Sequence, residues 1–258
     1  MTLRPGVARR GIRGAIGVAM LGAAVGLVTA TAQAQSNTAT PATTPSVVPG
    51  LRNDATPVAL LERAGRAYKG ARTLRAAFTQ ELENPRTRTH LLSRGEFFQK
   101  GSKLFAFRFN EPADDRIVSD GQVLWLYSPS TARGQVFKLP RTAGASLDIA
   151  SSVLTDPARR YTVTATGDTS VEGRPVRALH LVPRAPNASF MRATLWIDTE
   201  SALVRRAAFT EATGLVRTLT FTSIRIGSSL PRGVFTFTPP EGVRVIDQAA
   251  MLGGSARP

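Results

Sequence analysis

From Leu74 onward, apolar and polar residues alternate with a period of two in short runs separated by turn residues, the pattern of half-buried β-strands. In TLRAAFTQEL, Leu74, Ala76 and Phe78 share one side and Arg75, Ala77 and Thr79 the other. GEFFQKGSKLFAFRF reads as two strands joined through Lys100-Gly101-Ser102-Lys103, and the second places Phe105, Phe107 and Phe109 on one face. RIVSDGQVLWLY reads as strand, Asp120-Gly121 hairpin turn and strand, with Val123, Trp125 and Tyr127 sharing a face. GQVFKL, RYTVTAT, VRALHLVP, FMRATLWID, ALVRRAAFTE, LVRTLTFTSIRI and GVFTFTPP continue the series. Within these runs Leu195 and Ile197, Leu219 and Phe221, and Phe235 and Phe237 lie on common faces.

Two stretches change period. Thr56-Pro57 offers an N-cap and a first-turn proline, followed by Val58, Leu61, Ala64 and Tyr68 at three- and four-residue intervals, and Lys69-Gly70 suits a helix end. In GASLDIASSVLTDP, Leu147, Ala150 and Leu154 recur with helical spacing before Pro157, which predicts a second short amphipathic helix. The sum is a mainly β chain of the α+β class: about eleven antiparallel strands, curling toward an incomplete barrel, with two helices. A curled sheet has a concave face, and its apolar rings must be covered. Whether the helices fill the interior as permanent core, the plainer reading, or cover it as a movable lid is not decided by periodicity alone.

The first residues have a different role. Arg4, Arg9, Arg10 and Arg13 precede the apolar run Ala15 to Ala30 and small-residue sites at Ala32 and Ala34, so residues 1–34 read as a signal peptide cleaved after Ala32 or Ala34. Residues 35–54, rich in Thr, Pro and Ala, read as a flexible leader, and residues 249–258 as a flexible tail. One folded domain of residues 55–248 remains. It has no cysteine, so its stability rests on packing rather than disulfides. The formal charge of +15 is spread through scattered arginines without interleaved aromatics, which argues against nucleic acid and for a solvated cationic surface, with attraction to acidic partners or anionic lipid headgroups as the alternative.

Catalytic chemistry is poorly provided for. His90 and His180 are the only histidines, no G-x-S-x-G elbow occurs, and the aspartates fit turns and helix ends better than paired acid/base work. Without Cys or clustered His, a structural zinc site is not expected. We therefore expect no enzyme activity, no cofactor and no metal.

LRAAFTQ (74–80), GEFFQKGSKLFAFRFNEP (95–112), IVSDGQVLWLYSP (117–129) and GVFTFTPPEGVRVID (233–247), in this order, resemble the outer-membrane lipoprotein carrier family, LolA, of Gram-negative periplasms. The resemblance spans about residues 56–248. It implies an incomplete antiparallel barrel with a helical lid over an apolar concave face. It also implies a monomeric periplasmic shuttle that takes acylated lipoproteins from the inner-membrane lipoprotein-releasing transporter to an outer-membrane lipoprotein receptor. By position, Phe78, Phe97, Phe105, Phe107, Phe109, Trp125 and Tyr127 would line the acyl-chain cavity on one half. Leu195, Ile197, Leu219 and Phe221 would line the other, and Leu61, Leu147, Ala150 and Leu154 would form the lid. One departure stands out: the family often has an Arg-Pro after the second strand, the Arg bonding to lid backbone, where this chain has Gly101-Ser102. Lys100 or Lys103 could substitute electrostatically, although Lys lacks the planar fork of Arg. A carrier or sensor of another lipid, such as a glycolipid or acyl intermediate, would need the same cavity. A non-transporting envelope regulatory protein would instead have a sealed core.

Overall fold

A computed structural model of the chain describes residues 56–141, 147–186 and 188–248. The expected signal peptide, leader and tail lie outside these residues. Helix α1 (Pro57–Gly70) comes first, capped as its sequence suggests: Thr56 Oγ1 accepts a 3.1 Å hydrogen bond from the Ala59 amide, with Pro57 in the first turn. Its buried stripe is Leu60, Leu61, Ala64 and Tyr68.

Six strands follow: β1 (Thr73–Asn84), β2 (Thr89–Lys100), β3 (Leu104–Glu111), β4 (Arg116–Asp120), β5 (Val123–Tyr127) and β6 (Gln135–Pro140). After a connection come β7 (Tyr161–Val171), β8 (Arg174–Pro183), β9 (Arg192–Asp198), β10 (Val204–Thr210), β11 (Val216–Ile226) and β12 (Arg244–Asp247). All twelve belong to one sheet in the order β12-β6-β5-β4-β3-β2-β1-β11-β10-β9-β8-β7. Each neighbouring pair is antiparallel except β12 on β6, which is parallel. The β1–β11 pairing joins two meanders, so the curled sheet remains open between β12 and β7 as an incomplete barrel.

Glycine decides one crossing. The β2–β3 register shifts between Arg94 and Gly95, and a Cβ on Gly95 would lie only 2.0 Å from the Arg108 carbonyl oxygen. Only a residue without a side chain lets β3 approach here, next to Phe78 on β1.

The sheet is covered on both sides. On the concave side a large apolar cluster joins α1 to residues of β1–β5, β7–β11 and the β6–β7 connection. On the outer side Phe98, Ala106, Val118 and Val234 form a second cluster, with Trp125, Leu230, Phe235 and Phe237 packed on it.

Two expectations need correction. GVFTFTPP is not a strand but a turn followed by irregular backbone laid over the outer cluster, where Pro239 and Pro240 lack ladder donors and Gly233 takes a φ of 66°. The twelfth strand comes after it, at β12. The 147–157 stretch is not an amphipathic helix: the described part is one π-helical turn, Ile149–Val153, and a four-residue α2 (Pro157–Arg160) follows. The serines at 151 and 152 are mediocre helix formers, and Asp156 at φ 51° with Pro157 behind it ends any continuation.

Candidate functional site: an apolar interior under a two-piece cover

The rings expected on the concave face meet there. Phe107 lies at the centre, with ring centroids 5.0 Å from Phe78, 4.7 Å from Phe97 and 6.2 Å from Phe105. Phe97 continues to Phe221 at 5.4 Å, and Phe109 sits partly buried at the margin, 5.2 Å from Phe78. The edge-to-face and tilted geometries are those that ring quadrupoles favour. Leu195, Ile197 and Leu219 are fully buried in the same cluster from the other meander. The rings fill the concavity themselves, so the protein is closed on its own side chains.

Trp125 and Tyr127 are elsewhere. Both pack against Phe237 on the outer face, each at 5.6 Å, and the Trp125 indole N–H donates to Asp120 at 3.3 Å. Leu124 and Leu126 take the inward positions of β5 instead. In VLWLY both alternating sets are apolar, because this strand is covered on both faces, and periodicity alone cannot choose between them.

Two pieces cover the interior. The first is α1, whose Leu60, Leu61, Ala64 and Tyr68 enter the cluster. It docks at the β9–β10 turn, where Arg63 donates to the Thr199 carbonyl at 2.8 Å. That turn is built on Asp198, which is fully buried: its Oδ1 accepts from the Glu200 and Ser201 amides, and its Oδ2 from Arg174 and Arg205. Burial by itself would raise the Asp198 carboxyl, but the Ser201 amide and the two guanidinium groups outweigh it and hold the group far below the usual carboxylate range. Burial pushes the Tyr68 hydroxyl up to about 12, against the opposing pull of the Val204 backbone and Arg205, so it stays neutral beneath the helix.

The second piece is the β6–β7 connection. Leu147, Ile149, Val153 and Leu154 are buried in the cluster, and Ala150 is packed against it. The Ser152 carbonyl is the tie-down point: Tyr161 Oη donates to it at 2.9 Å, and Arg160 Nη1 donates to it as well. Between the two pieces runs a seam, a cleft of about 430 Å³ bordered by Gly65, Arg66, Tyr68, Lys69, Ser102 and Leu154 among others. Lys100 and Lys103 are exposed and do not border the seam. Among the described residues, Arg63, Arg160 and Tyr161 make the side-chain hydrogen bonds that hold the two pieces.

Several residues of the site were not read from the sequence. Leu60 is buried in α1 where Val58 was expected, and Tyr161 and Phe190 extend the aromatic cluster beyond the phenylalanine strand. Arg217 also faces inward, in phase with Leu219 and Phe221, and donates to the buried Gln80 Oε1 at 2.7 Å. Burial pulls its guanidinium pKa down, with Glu211 acting in the opposite sense. That phase was readable in VRTLTF, but a strand-borne Arg reads as solvated by default. His90 lies 3.6 Å from Glu81 and 4.0 Å from Glu83 on the exposed β1–β2 hairpin. This is the one metal-compatible grouping among the described residues, remote from the interior.

Among the described residues no helix is long and apolar enough to cross a membrane. Residues 69–238 match the family described as outer membrane lipoprotein carrier protein LolA. The outer-membrane lipoprotein carrier protein of Methylibium petroleiphilum is 28% identical over 181 residues, covering 69% of this chain and 84% of that protein. Its counterpart in Nitrosospira multiformis is 27% identical over 181 residues, covering 70% of this chain and 84% of that one. A solved LolA superfamily protein from Nitrosomonas europaea aligns at 16% identity and a TM-score of 0.39, over 70% of this chain and 98% of its own. With a closed, ring-filled incomplete barrel and a family match that spans most of its sheet, the chain belongs to the LolA family of outer membrane lipoprotein carrier proteins.

Proposed function

We propose that this protein is a non-enzymatic periplasmic carrier. It takes acylated lipoproteins released from the inner membrane, holds their acyl chains against the ring-lined concave face, and delivers them to the outer membrane. The supporting observation is the construction of the interior: Phe78, Phe97, Phe105, Phe107 and Phe221 form one continuous apolar surface, covered among the described residues by α1 and the 147–154 segment. Two small pieces can swing away from a sheet more cheaply than a core can be divided.

Magnitudes favour this reading. An acyl chain of about 16 methylenes gains about 13 kcal/mol on burial at ~0.8 kcal/mol each, and several chains gain proportionally more. A carrier that kept all of that could never release its cargo. Displacing its own packed rings and cover on loading offsets most of the gain, which makes both loading and unloading feasible. The partners that follow are an inner-membrane lipoprotein-releasing transporter and an outer-membrane receptor, with the protein itself a monomer exported by its cleaved signal peptide.

The test is release from spheroplasts. The purified protein, added outside, should bring newly acylated lipoproteins into the soluble fraction, and Phe105→Glu should abolish this while the exposed Leu92→Glu does not. Absence of released lipoprotein with the folded wild-type protein, together with a small lipid co-purifying, would replace this reading by a carrier of another lipid.

A further inference from the structure

A second cleft, of about 720 Å³, lies beside the cover where the β6–β7 connection enters β7. Its wall carries Arg141, Arg159, Arg160 and Arg184 against the single acid Asp156. Its floor is aromatic: Tyr161 and Phe190 stack at 5.8 Å with 20° between their planes, and Phe190 leans on Phe209 at 5.3 Å. Tyr161, Phe190 and Phe209 are all buried members of the concave cluster. The cationic wall and the apolar interior therefore share their aromatic boundary.

The four arginines are not equally engaged. Arg141 is paired with the buried Asp148 at 3.0 Å, and Arg160 is committed to the Ser152 carbonyl and lies over the Tyr161 ring at 5.4 Å. Arg159 is 86% exposed and, among the described residues, pairs with Asp156 at 3.6 Å. The Arg184 amide donates to the Arg160 carbonyl at 2.9 Å, which fixes its backbone beside the cleft, and among the described residues no carboxylate pairs with its side chain. Two guanidinium groups thus face the cleft with donors to spare. Planar guanidinium forks match phosphate oxygens and bind them with charge-assisted hydrogen bonds.

We infer that this cleft holds the phosphate headgroup of an anionic amphiphile whose acyl chains enter the adjoining interior. The inference rests on the acyl-binding reading above and narrows it: an acyl ester is uncharged and needs no arginine wall, whereas a phosphate ester does. A free acidic peptide would have little use for a floor of buried rings continuous with the core.

The experiment is calorimetric titration of the purified protein with dioctanoyl phosphatidylglycerol, dioctanoyl phosphatidylcholine and inorganic phosphate, the lipids below their micellar concentrations. The expected result is a preference for the phosphatidylglycerol over the phosphatidylcholine of about tenfold or more, with inorganic phosphate much weaker than either. R159A/R184A should erase that preference by lowering phosphatidylglycerol affinity to that for phosphatidylcholine, with the melting temperature unchanged. Equal affinity for the two lipids, or a preference that survives in the double variant, would overturn the inference. Inorganic phosphate binding as tightly as the phosphatidylglycerol would also overturn it, since the interior would then contribute nothing. If an uncharged triacylated lipopeptide binds and neither phospholipid does, the headgroup assignment falls and the carrier reading stands. If none of the three binds, both fall.

Discussion

Gly65 of α1 and Leu154 of the β6–β7 connection meet with no room for a side chain: a Cβ on Gly65 would lie 2.7 Å from the Leu154 carbonyl oxygen. The glycine lets the two pieces of the cover lie flush against each other across the seam. The obstacle is backbone, so it cannot rotate aside. Gly65→Ala should therefore push the connection off the helix, at a cost of about 1–3 kcal/mol from overpacking, less up to ~1 kcal/mol regained from helix propensity. Stopped-flow uptake of a fluorescent fatty acid should be faster in this variant than in wild type. An unchanged rate would mean that the seam is not the way in.

Gly95 poses the same problem inside the sheet. A Cβ there would meet the Arg108 carbonyl oxygen at 2.0 Å and the Phe109 Cα at 2.8 Å, both backbone atoms of β3. Gly95→Ala should lower stability in urea by about 2 kcal/mol or more and disturb the Phe78–Phe109 contact at the cavity margin. A denaturation midpoint equal to wild type would show that β3 can move away freely.

Both tryptophans look outward. Trp125 stacks near Phe237, and Trp196 lies under Arg206 at 5.7 Å, between the inward Leu195 and Ile197. Filling the interior with a non-fluorescent acyl chain should leave tryptophan emission within about 2 nm of its original maximum, because neither indole contacts the cavity. A large blue shift on binding would return Trp125 to the cavity wall.

The β9–β10 turn sets an acid limit. The Asp198 carboxyl titrates below its ordinary value of 3.8, so its contribution is fully present above that value and is lost as pH falls through the lower folded value. Asp198→Asn leaves Arg174 and Arg205 without a buried counter-charge and should cost about 3 kcal/mol at pH 7. Urea unfolding across the pH range should show the gap between variant and wild type closing below about pH 4. A gap that is constant with pH would mean Asp198 acts through shape alone. Because Arg63 docks α1 on this same turn, the variant should also take up acyl probe faster.

Much of the architecture could be read directly. Period two set the strand series and put Phe105, Phe107 and Phe109 on one face, and Thr56-Pro57 through Gly70 specified α1 down to its cap. These are local matters: alternation follows from backbone geometry, and a cap needs only its own turn. What stayed hidden was which face is which. Phe97 and Phe98 are adjacent and both buried, one in each cluster, and nothing in GEFF distinguishes them. The same ambiguity sent Trp125 to the wrong side.

The sequence by itself determined which residues share a strand face, where the first helix begins, and that a large set of rings must be covered. Only the tertiary structure decided that the 228–240 segment covers the outer face, that Leu124 and not Trp125 points inward, and that Arg141, Arg159, Arg160 and Arg184 converge on one cleft. The reason is physical. Periodicity fixes the relation between neighbours in a chain, whereas burial of a face depends on what packs against it, and in this protein those partners come from segments far away in sequence.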